Sequence, residues 1–456
     1  MGMQRRDFLR TAATASITAL GARFGLSAPE PAGPEKENNK TMAGFAAKPM
    51  DRVRVAFIGV GARGSGHVEQ MLLLDGVDVV AICDDWKDLA ERSAQACVRA
   101  GRPKPVVYDK GPLEYKKMLD RSDIDIVVIA TPWEWHARMA VDAMNAGKHA
   151  FIEVPAVVTM EECWQIVDTS EKTRRHCMML ENCCYGREEM MVLNMCRLGV
   201  FGDILHGEGA YIHDLRGQMN EVEHGTGSWR TVHYQKRNGN IYPTHGLGPI
   251  AQCMGVNRGD RFDYMSSVSS PSKVRAIYAK EHFPKEHKWN TTPFICGDIN
   301  TSIIKTVQGR TIMVQWDEQL PRPYSRLNLL QGTKGMWGGY PDRIVIEGDS
   351  PDTENFEEGD KLKRWYDRFD HPLYAKIAND PANKGGHGGM DFVMLWRLVY
   401  CLRNGLPLDQ DVYDAAAWSS ISPLSEESVK HRGKSVDCPD FTRGEWKKRT
   451  PLEVVR

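Results

Sequence analysis

The sequence lacks an excess of either charge. Its 456 residues include 59 lysines and arginines against 60 aspartates and glutamates, which gives a formal net charge of -1. A chain this close to neutrality has no overall field that would attract nucleic acid. It also lacks any uncharged apolar run near the roughly 20 residues that a transmembrane helix needs. We therefore expect no nucleic-acid partner and no integral membrane segment in the mature form.

The cysteines lack the spacing of a metal site or of a disulfide framework. There are eleven, an odd number, spread from Cys83 to Cys438, and none forms a C-x-x-C pair. Neighbouring residues on a strand, such as Cys183 and Cys184, point to opposite faces and rarely ligate one ion. We expect no metal in this protein.

The N-terminus has the three-part layout of a signal peptide. The paired Arg5 and Arg6 precede a weakly apolar stretch from Thr11 to Ala22 and small residues up to Ala28. Paired arginines are typical of a twin-arginine signal, so residues 1–28 predict recognition by the twin-arginine export machinery and a periplasmic or otherwise exported protein. The alternative is the short basic start of a helix. Residues 29–51, rich in Pro, Glu, Asn and Lys, predict a flexible linker.

Residues 52–155 have the pattern of an NAD-binding Rossmann domain. The β-branched run Val53–Ile58 leads into a G-x-G-x-x-G turn formed by Gly59, Gly61 and Gly64. A second apolar run ends at Asp84, about 20 residues further on, where a carboxylate can reach the ribose hydroxyls and would repel a ribose phosphate. NAD is therefore favoured over NADP. The alternative is a tight strand–helix turn that binds nothing.

The complete pattern predicts an α/β protein with two domains. Alternation of strands and helices in the first domain indicates a doubly wound parallel sheet. In residues 156–456, segments such as Ile204–Ile212 and Asn300–Thr306 indicate an α+β substrate domain with an open, mostly antiparallel sheet. The amphipathic stretch Met390–Asn404 predicts a helix that returns to pack on the first domain. The chemistry-capable residues are predicted in loops: Tyr211, Ser228–Arg230, Asn240–Pro249, Tyr324 and Gly385–Asp391.

The first domain resembles that of the glucose-fructose oxidoreductase superfamily. That superfamily has a Thr-Pro-x-x-x-His turn, present here from Thr131 to His136, and a Glu-Lys-Pro motif, which is Glu153-Val154-Pro155 here. In its ordinary dehydrogenases the lysine lies at the reacting carbon, and an Asp-x-x-x-His pair follows. Here Ile241 stands at the Asp position before His245, so the resemblance disfavours a standard alcohol dehydrogenase.

From about residue 50 to 450 the chain resembles glycoside hydrolase family 109, the NAD-dependent α-N-acetylgalactosaminidases. The most specific part is the run from Tyr242 to Pro249, which reads Tyr-Pro-Thr-His-Gly-Leu-Gly-Pro. The pair Glu181-Asn182 and the twin-arginine start belong to the same resemblance. Sheet domains of the superfamily commonly pair, which leaves a homo-oligomer open.

Position by position, the resemblance implies a set of site residues. Cofactor contacts, beside the turn glycines, are Ala62, Arg63, Asp84, Trp133, Glu134, Trp135, His136, Glu153, Val154 and Asn182. Substrate contacts are Tyr211, Arg230, Tyr242, Pro243, Thr244, His245 and Tyr324. His245 is the leading acid–base candidate because an imidazole accepts and donates protons near neutral pH. Tyr242 is the second catalytic candidate, and the roles of His387 and Asp391 stay open.

The sequence shows no identifiable pair of carboxylates for ordinary glycoside hydrolysis, and NAD-dependent glycosidases are an exception to that scheme. The resemblance implies that a terminal amino sugar of a glycan or small glycoside is oxidised at C3, loses its C2 proton and its aglycone, gains water and is reduced again. No net oxidation occurs, so the implied NAD stays tightly bound. The alternatives are an exported NAD(P)-dependent sugar oxidoreductase and a cofactor-binding protein without turnover.

Overall fold

The strands of the first sheet are short runs of apolar, mostly β-branched residues. Val53–Ile58 and Ile126–Ile129 are buried almost throughout, as expected for a parallel sheet that helices cover on both faces. The computed structural model describes residues 40–377 and 386–452. The expected signal peptide, residues 1–28, and residues 29–39 of the expected linker lie outside the described residues.

Six parallel strands and five helices form the first domain. The strands are β1 (Val53–Ile58), β2 (Val77–Cys83), β3 (Val106–Tyr108), β4 (Ile126–Ile129), β5 (His149–Ile152) and β6 (Cys177–Met179). The helices are α1 (Ala62–Leu72), α2 (Lys87–Arg99), α3 (Glu114–Leu119), α4 (Trp133–Asn145) and α5 (Met160–Thr173). The sheet order β3-β2-β1-β4-β5-β6 is that of a doubly wound dinucleotide-binding fold, whose ligand crevice lies where the order reverses, between β1 and β4.

The first domain extends beyond the expected boundary at residue 155. Helix α5 begins at a capping box, in which the Thr159 side chain accepts from the Glu162 amide. The chain then returns to the sheet as β6, which pairs in parallel with β5. Helix α5 is therefore the crossover between the parallel strands β5 and β6 and not the start of the second domain. The parallel sheet ends with β6 at Met179.

Within its described residues, up to 377 and from 386 to 452, the second domain contains nine strands and eight helices. After α6 (Arg187–Arg197) these are β7 (Ile204–Ile212), α7 (Thr226–Lys236), α8 (Thr244–Met254), β8 (Phe262–Ser269), α9 (Val274–His282), β9 (Asn300–Thr306), β10 (Thr311–Asp317), β11 (Leu329–Gly332), β12 (Gly335–Gly338), β13 (Arg343–Ile346), β14 (Glu357–Glu358), α10 (Lys363–Phe369), α11 (Pro372–Ile377), α12 (Met390–Asn404), α13 (Val412–Lys430) and β15 (Val436–Asp437). Short 3-10 helices occupy Asn182–Tyr185, Arg216–Asn220, Lys288–Asn290, Gly359–Leu362, His387–Gly389 and Glu445–Lys447.

The second sheet is open and mostly antiparallel, which confirms the predicted fold class. Its order is β14-β13-β12-β11-β7-β10-β9-β8-β15, and β7 with β10 is its parallel pair. Helix α12 returns to the first domain as expected: Arg403 donates to the backbone oxygen of Asp75, and Asp391 forms an ion pair with Arg63. The two sheets therefore belong to one packed body.

The expected flexible linker is wrong for residues 40–51. Met42 and Ala47 are buried, at 3% and 8% exposure. The Met42 amide donates to the Tyr413 hydroxyl over 2.9 Å, and the Met50 amide donates to the Leu402 oxygen over 3.1 Å. These contacts with α12 and α13 fix the segment, although its composition resembles that of a linker.

Several residues predicted in loops lie in regular elements instead. Tyr211 is in β7, Ser228–Arg230 in α7 and Thr244–Pro249 in α8, while Asp391 is in α12. Their glycine-rich surroundings suggested loops, but the glycines serve close packing between elements. A Cβ on Gly246 would approach the Ala210 nitrogen to 2.1 Å.

Every cysteine lies within the described residues, and each is a free thiol. All but Cys196 are buried, and burial raises the pKa of the Cys97 thiol to about 11 and that of Cys296 to about 12. In the part of the chain that the structure describes, no helix has the length and apolar character that crossing a membrane requires.

Candidate active site

The candidate site is a cleft of about 630 Å³ between the two sheets. One wall comes from the carboxyl edge of the parallel sheet and includes Gly61 and Asp84, while the other includes Tyr211, Tyr242 and His245. Ligands of doubly wound sheets bind at this edge, where the strand order reverses. The cleft therefore joins the predicted cofactor residues to the predicted substrate residues.

The glycine turn shapes the cofactor end of this cleft. Gly59 has φ +82°, and a Cβ there would lie 2.7 Å from the Ala130 oxygen. A Cβ on Gly64 would lie 2.0 Å from the Gly59 oxygen, whereas one on Gly61 would face open space. The first and last glycines thus permit packing, and Gly61 leaves room for a pyrophosphate at the start of α1. The turn fits a dinucleotide.

Asp84 follows β2 at the edge of the same cleft. Its two carboxylate oxygens accept from the Val60 amide at 2.7 Å and the Trp86 amide at 2.9 Å. Burial raises the pKa of this carboxyl, and the backbone donors act against that rise. The bonds fix the carboxylate beside the turn, where the remaining lone pairs suit ribose hydroxyls.

Arg63 is held between two carboxylates from different parts of the chain. Its Nε donates to Glu153 over 2.7 Å, and its two terminal nitrogens donate to Asp391 over 2.7 and 2.9 Å. His67 contacts the same Glu153 oxygen at 2.5 Å. Burial opposes ionisation of Glu153, yet Arg63 and His67 hold the pKa of its carboxyl well below the usual range. The carboxylate that precedes Val154 is therefore a fixed ion-pair partner.

Asp391 connects further cofactor candidates. Asn182 donates to its Oδ1 over 2.7 Å, and His387 Nδ1 lies 2.9 Å from its Oδ2. Burial opposes ionisation of Asp391, but hydrogen bonds from His387 and Arg63 keep its pKa far below the usual range. Asp391 thus holds Arg63 and Asn182 together from the start of α12.

The remaining cofactor candidates divide into two groups. Those that line the cleft, with the residues already described, are Ala62, Trp133, His136, Glu153, Val154 and Asn182. Gly64, Glu134 and Trp135 are not among its lining residues. Gly64 packs beneath the turn, and the Glu134 carboxylate points to His233 at 3.6 Å. The structure therefore brings most, but not all, of the implied cofactor contacts to one surface.

Close packing of α8 on β7 positions His245. A Cβ on Gly209 would lie 2.3 Å from the Gly246 oxygen, and a Cβ on Gly246 would lie 2.1 Å from the Ala210 nitrogen. Because both residues are glycine, the start of the helix lies directly on the strand. The His245 ring is consequently 5.2 Å from the Tyr211 ring.

Glu181 orients the His245 ring. Its Oε1 lies 2.6 Å from His245 Nδ1, and the Glu181 side chain is fully buried. Burial opposes ionisation of Glu181, but His245 and neighbouring hydrogen bonds lower the carboxyl pKa below its usual value. A carboxylate on Nδ1 fixes the proton there and leaves Nε2 as the acceptor. The hydroxyl of Tyr242 lies 3.4 Å from that Nε2.

Two buried tyrosines contact the imidazole. The Tyr242 ring lies 4.6 Å from Tyr211 and 5.0 Å from His245. Burial raises the pKa of the Tyr242 phenol well above its usual value, so it stays protonated and able to donate. The Tyr211 hydroxyl lies 3.1 Å from His213 Nδ1. His245 is thus the group of this cluster suited to accept a proton.

Arg230 lies in a box of aromatic rings. Its guanidinium is 5.0 Å from the ring centres of both Trp133 and Tyr242. Nη1 donates to the buried Glu318 over 3.3 Å, and Nε has no hydrogen-bond partner among the described residues. A buried, preformed donor aimed between rings suits recognition of sugar oxygens or an acetamido carbonyl.

The other substrate candidates lie at the margins of the cleft. Pro243 and Thr244 are buried at the start of α8 and do not line the cleft. Tyr324 lies outside it and is 39% exposed, with its hydroxyl accepting from Arg326 over 3.0 Å. Burial of that hydroxyl raises the pKa of Tyr324 to about 12.

Glu181, Cys183 and His245 bring a carboxylate, a thiol and an imidazole within 4.8 Å of one another. Such a set resembles a cation site. Burial raises the pKa of the Cys183 thiol well above its usual value, so the thiolate that a metal prefers is disfavoured. The 2.6 Å contact between Glu181 and His245 fits a hydrogen bond that orients the ring.

Three carboxylates that hold the site residues in place were not predicted from the sequence. Glu181, Glu318 and Asp391 each hold a predicted site residue, and none received a role from the sequence. A signal existed for Glu181, which follows β6 at the carboxyl edge of a parallel sheet, where functional side chains collect. Asp391 was singled out by its glycine-rich surroundings but without a role, and Glu318 carried no comparable local signal.

Comparison with protein families divides the chain at the same point as the structure. The model described as "Oxidoreductase family, NAD-binding Rossmann fold" matches residues 53–181, and "Glycosyl hydrolase 109, C-terminal domain" matches residues 185–448. A relative from Shewanella oneidensis named alpha-N-acetylgalactosaminidase is 55% identical over 454 residues, which is 99% of each chain. A glycosyl hydrolase family 109 protein from Shewanella putrefaciens is 56% identical with the same coverage.

Solved structures share the fold at lower identity. Levoglucosan dehydrogenase in complex with NADH and levoglucosan matches with a TM-score of 0.63 and 19% identity, over 85% of this chain and 100% of the other. An NAD-binding oxidoreductase from Klebsiella pneumoniae matches with a TM-score of 0.65 and 15% identity, over 86% and 100%. At these identities the likeness shows the fold alone.

The first prediction concerns Arg63. The change Arg63→Ala leaves the carboxylates of Glu153 and Asp391 buried without their shared cation, and removing one member of a buried ion pair costs about 3–5 kcal/mol of unfolding free energy. Urea unfolding measures the loss. The control is Arg52→Ala, because Arg52 forms an exposed pair with Asp78 and its loss should leave the urea midpoint near that of the unmodified protein.

The pH dependence has a defined sign. Both carboxyl groups have a lowered pKa in the folded state, so their stabilisation is present above the ordinary carboxyl pKa of about 4 and is lost as the pH falls below it. In Arg63→Ala this acid-dependent loss should shrink. An unfolding free energy within about 1 kcal/mol of the unmodified protein would contradict the assigned ion pairing.

Proposed function

The chain belongs to glycoside hydrolase family 109, and from that premise we propose that it hydrolyses terminal α-linked N-acetylgalactosamine with retention at C1 and no net oxidation. A single observation supports this reaction. His245, held at Nδ1 by the buried Glu181, lines the same cleft as the glycine turn and Asp84. One sugar can therefore meet both the proton acceptor and the dinucleotide.

The cofactor and the imidazole divide the chemistry between them. When bound, NAD⁺ supplies reversible removal of a hydride from the sugar carbon C3, which makes the proton on C2 acidic. His245 Nε2 accepts that C2 proton while Glu181 stabilises the resulting imidazolium. The aglycone leaves C1 and takes up a proton from solvent, water adds its hydroxyl at C1 and releases a proton to solvent, and the same imidazolium returns its proton to C2, which leaves the C3 ketone to take back the hydride.

Other side chains position the sugar during these steps. The protonated Tyr242 donates a hydrogen bond next to His245 Nε2, and Arg230 offers a buried fork of donors that Glu318 keeps in place. Val154 occupies the position where related dehydrogenases are expected to have a lysine. Proton transfer is therefore assigned to α8 of the second domain rather than to the edge of the first sheet.

The central experiment measures chromophore release from an aryl α-N-acetylgalactosaminide by protein purified without added cofactor. We expect many turnovers per protein molecule, with no lasting rise in reduced nicotinamide absorbance. In Glu181→Gln, kcat should fall about 10²-fold or more, because a misoriented base loses the usual contribution of acid–base catalysis, while KM changes little.

Glu427→Gln is the matched control. Glu427 forms an exposed pair with His431, neither residue lines the cleft, and the variant should keep full activity. Accumulation of an oxidised sugar together with reduced nicotinamide would instead support a net sugar oxidoreductase. Unchanged kcat in Glu181→Gln would remove His245 as the assigned base.

We further propose that the protein retains its NAD through the segment between β7 and α7. Glu223, His224 and Gly225 line the same cleft as Asp84 and Trp86. The rings of His224 and Trp86 lie 4.4 Å apart at 78°, so this segment bridges the two domains over the adenosine end. A reaction with no net oxidation needs no exchange of cofactor, which agrees with such an enclosure.

The segment itself is internally braced. Gly225 has φ +98°, and a Cβ there would strike the Glu221 carboxylate at 2.7 Å. That carboxylate accepts from the Gly227 amide over 2.6 Å. Glycine is therefore required where the chain turns from the bridge into α7.

Removing the bridging ring contact should accelerate cofactor loss. An aromatic pair contributes about 0.5–1.5 kcal/mol beyond its buried area, so His224→Ala should release NAD about three- to tenfold faster on dilution, as measured by separating free from bound nucleotide over time. The control His282→Ala removes an exposed histidine that stacks on Tyr278 and should leave the release rate unchanged. Equal rates in all three proteins would refute the enclosure.

We propose export through the twin-arginine route, on the support of Arg5, Arg6 and the apolar segment that follows them. In a bacterial host that has this route, changing both residues (Arg5→Lys with Arg6→Lys) should move the protein from the periplasmic to the cytoplasmic fraction. Immunoblotting of the two fractions measures this shift. The single change Arg10→Lys serves as the control, and undiminished export of the double variant would contradict the proposal.

A further inference from the structure

A row of aromatic rings leads from the candidate base out of the cleft. The Tyr211 ring lies 5.2 Å from His245, the Tyr324 ring 6.3 Å from Tyr211, and the Tyr340 ring 5.8 Å from Tyr324. Their exposure rises along the row from 7% at Tyr211 to 39% at both Tyr324 and Tyr340. The row thus begins beside His245 and ends in solvent.

A buried arginine fixes the outer two rings. The Arg326 guanidinium lies 5.7 Å from the Tyr324 ring centre and 5.3 Å from that of Tyr340. One terminal nitrogen donates to the Tyr324 hydroxyl over 3.0 Å, and the other donates to the buried Glu189 over 2.5 Å. The exposed rings are therefore held on a rigid base, which lowers the entropy cost of binding a ligand.

Tyr340 is also held in a costly backbone conformation. Its φ of +58° lies in the left-handed region, which is unfavourable for a non-glycine residue by about 1–3 kcal/mol. The neighbouring Gly339 amide donates to the Leu327 oxygen over 2.9 Å and helps to keep this turn in place. The fold thus presents a tyrosine to solvent at a position where glycine would be less strained.

The chemistry of the row selects the class of ligand. Successive rings stand nearly perpendicular, at 86° between Tyr211 and Tyr324 and at 67° between Tyr324 and Tyr340, so they form no flat apolar platform for a lipid. Hydroxyl groups and a guanidinium alternate with the ring faces. A pyranose matches this surface, because it has an apolar C–H face and a rim of hydroxyls.

We propose that Tyr324 and Tyr340 form a subsite for the sugar to which the terminal residue is linked, with Tyr340 as its outer contact. The inference rests on the proposed function, because it places the aglycone beyond His245. The leaving group that this subsite favours is a sugar ring, because its apolar C–H face and its hydroxyl rim match the two tyrosines and Arg326. Tyr340 then determines preference among aglycones and takes no part in proton transfer.

The test compares two substrates that share the terminal sugar. One is methyl α-N-acetylgalactosaminide, whose aglycone cannot reach the row. The other is a disaccharide in which the amino sugar is α-linked to a neutral hexose. In Tyr340→Ala, kcat/KM should fall about three- to tenfold for the disaccharide, as expected for loss of one aromatic contact, and should stay within about twofold for the methyl glycoside. Release of free amino sugar measures both.

Two variants keep the result interpretable. Tyr340→Phe retains the ring and should retain most of the disaccharide activity, while Tyr264→Ala removes a tyrosine of similar exposure, 42%, on β8 and should change neither substrate. Equal losses on both substrates, no loss on either, or a loss confined to an α-linked glycosyl-serine peptide would overturn the subsite. Failure of the proposed function is distinct, because the unmodified protein would then release amino sugar from neither substrate.

Discussion

The ion pairing of Arg63 is the constraint on which the cleft depends. One guanidinium forms ion pairs with Glu153 at the edge of the first sheet and with Asp391 at the start of α12, and these residues in turn hold His67 and Asn182. Because its donors are engaged by carboxylates, Arg63 has little left to offer a pyrophosphate. Binding of those phosphates therefore depends on backbone amides at the start of α1 and on the open space beside Gly61.

The substrate side depends on a different kind of constraint, which is steric. Gly209 and Gly246 let α8 lie directly on β7, and this contact places His245 beside Tyr211 and within reach of Glu181. A larger side chain at either glycine would displace the helix and the imidazole together. The acid–base group is thus positioned by the packing of the second domain, while the cofactor residues are positioned by the first.

The sequence predicted those features that local patterns encode. Helix Met390–Asn404 begins and ends at the predicted residues, because its periodicity is internal to that segment. The glycines around His245 suggested a loop, because the strand that requires them lies elsewhere in the chain. Arg63 and Asp391 are separated by 328 positions, so no local pattern could pair them. Most of the candidate site came from the family resemblance, and its ion-pair partners came only from the structure.

The buried thiols have a consequence for how the chain reaches its final state. Thiolates carry out disulfide exchange, and burial keeps thiols such as Cys97 and Cys296 protonated at neutral pH. The folded protein therefore presents little reactive sulfur. The unfolded chain would expose eleven thiols, and an oxidant meeting them could trap many incorrect pairings. Folding before any contact with an oxidant avoids those pairings, which agrees with the proposed twin-arginine route for proteins that are already folded.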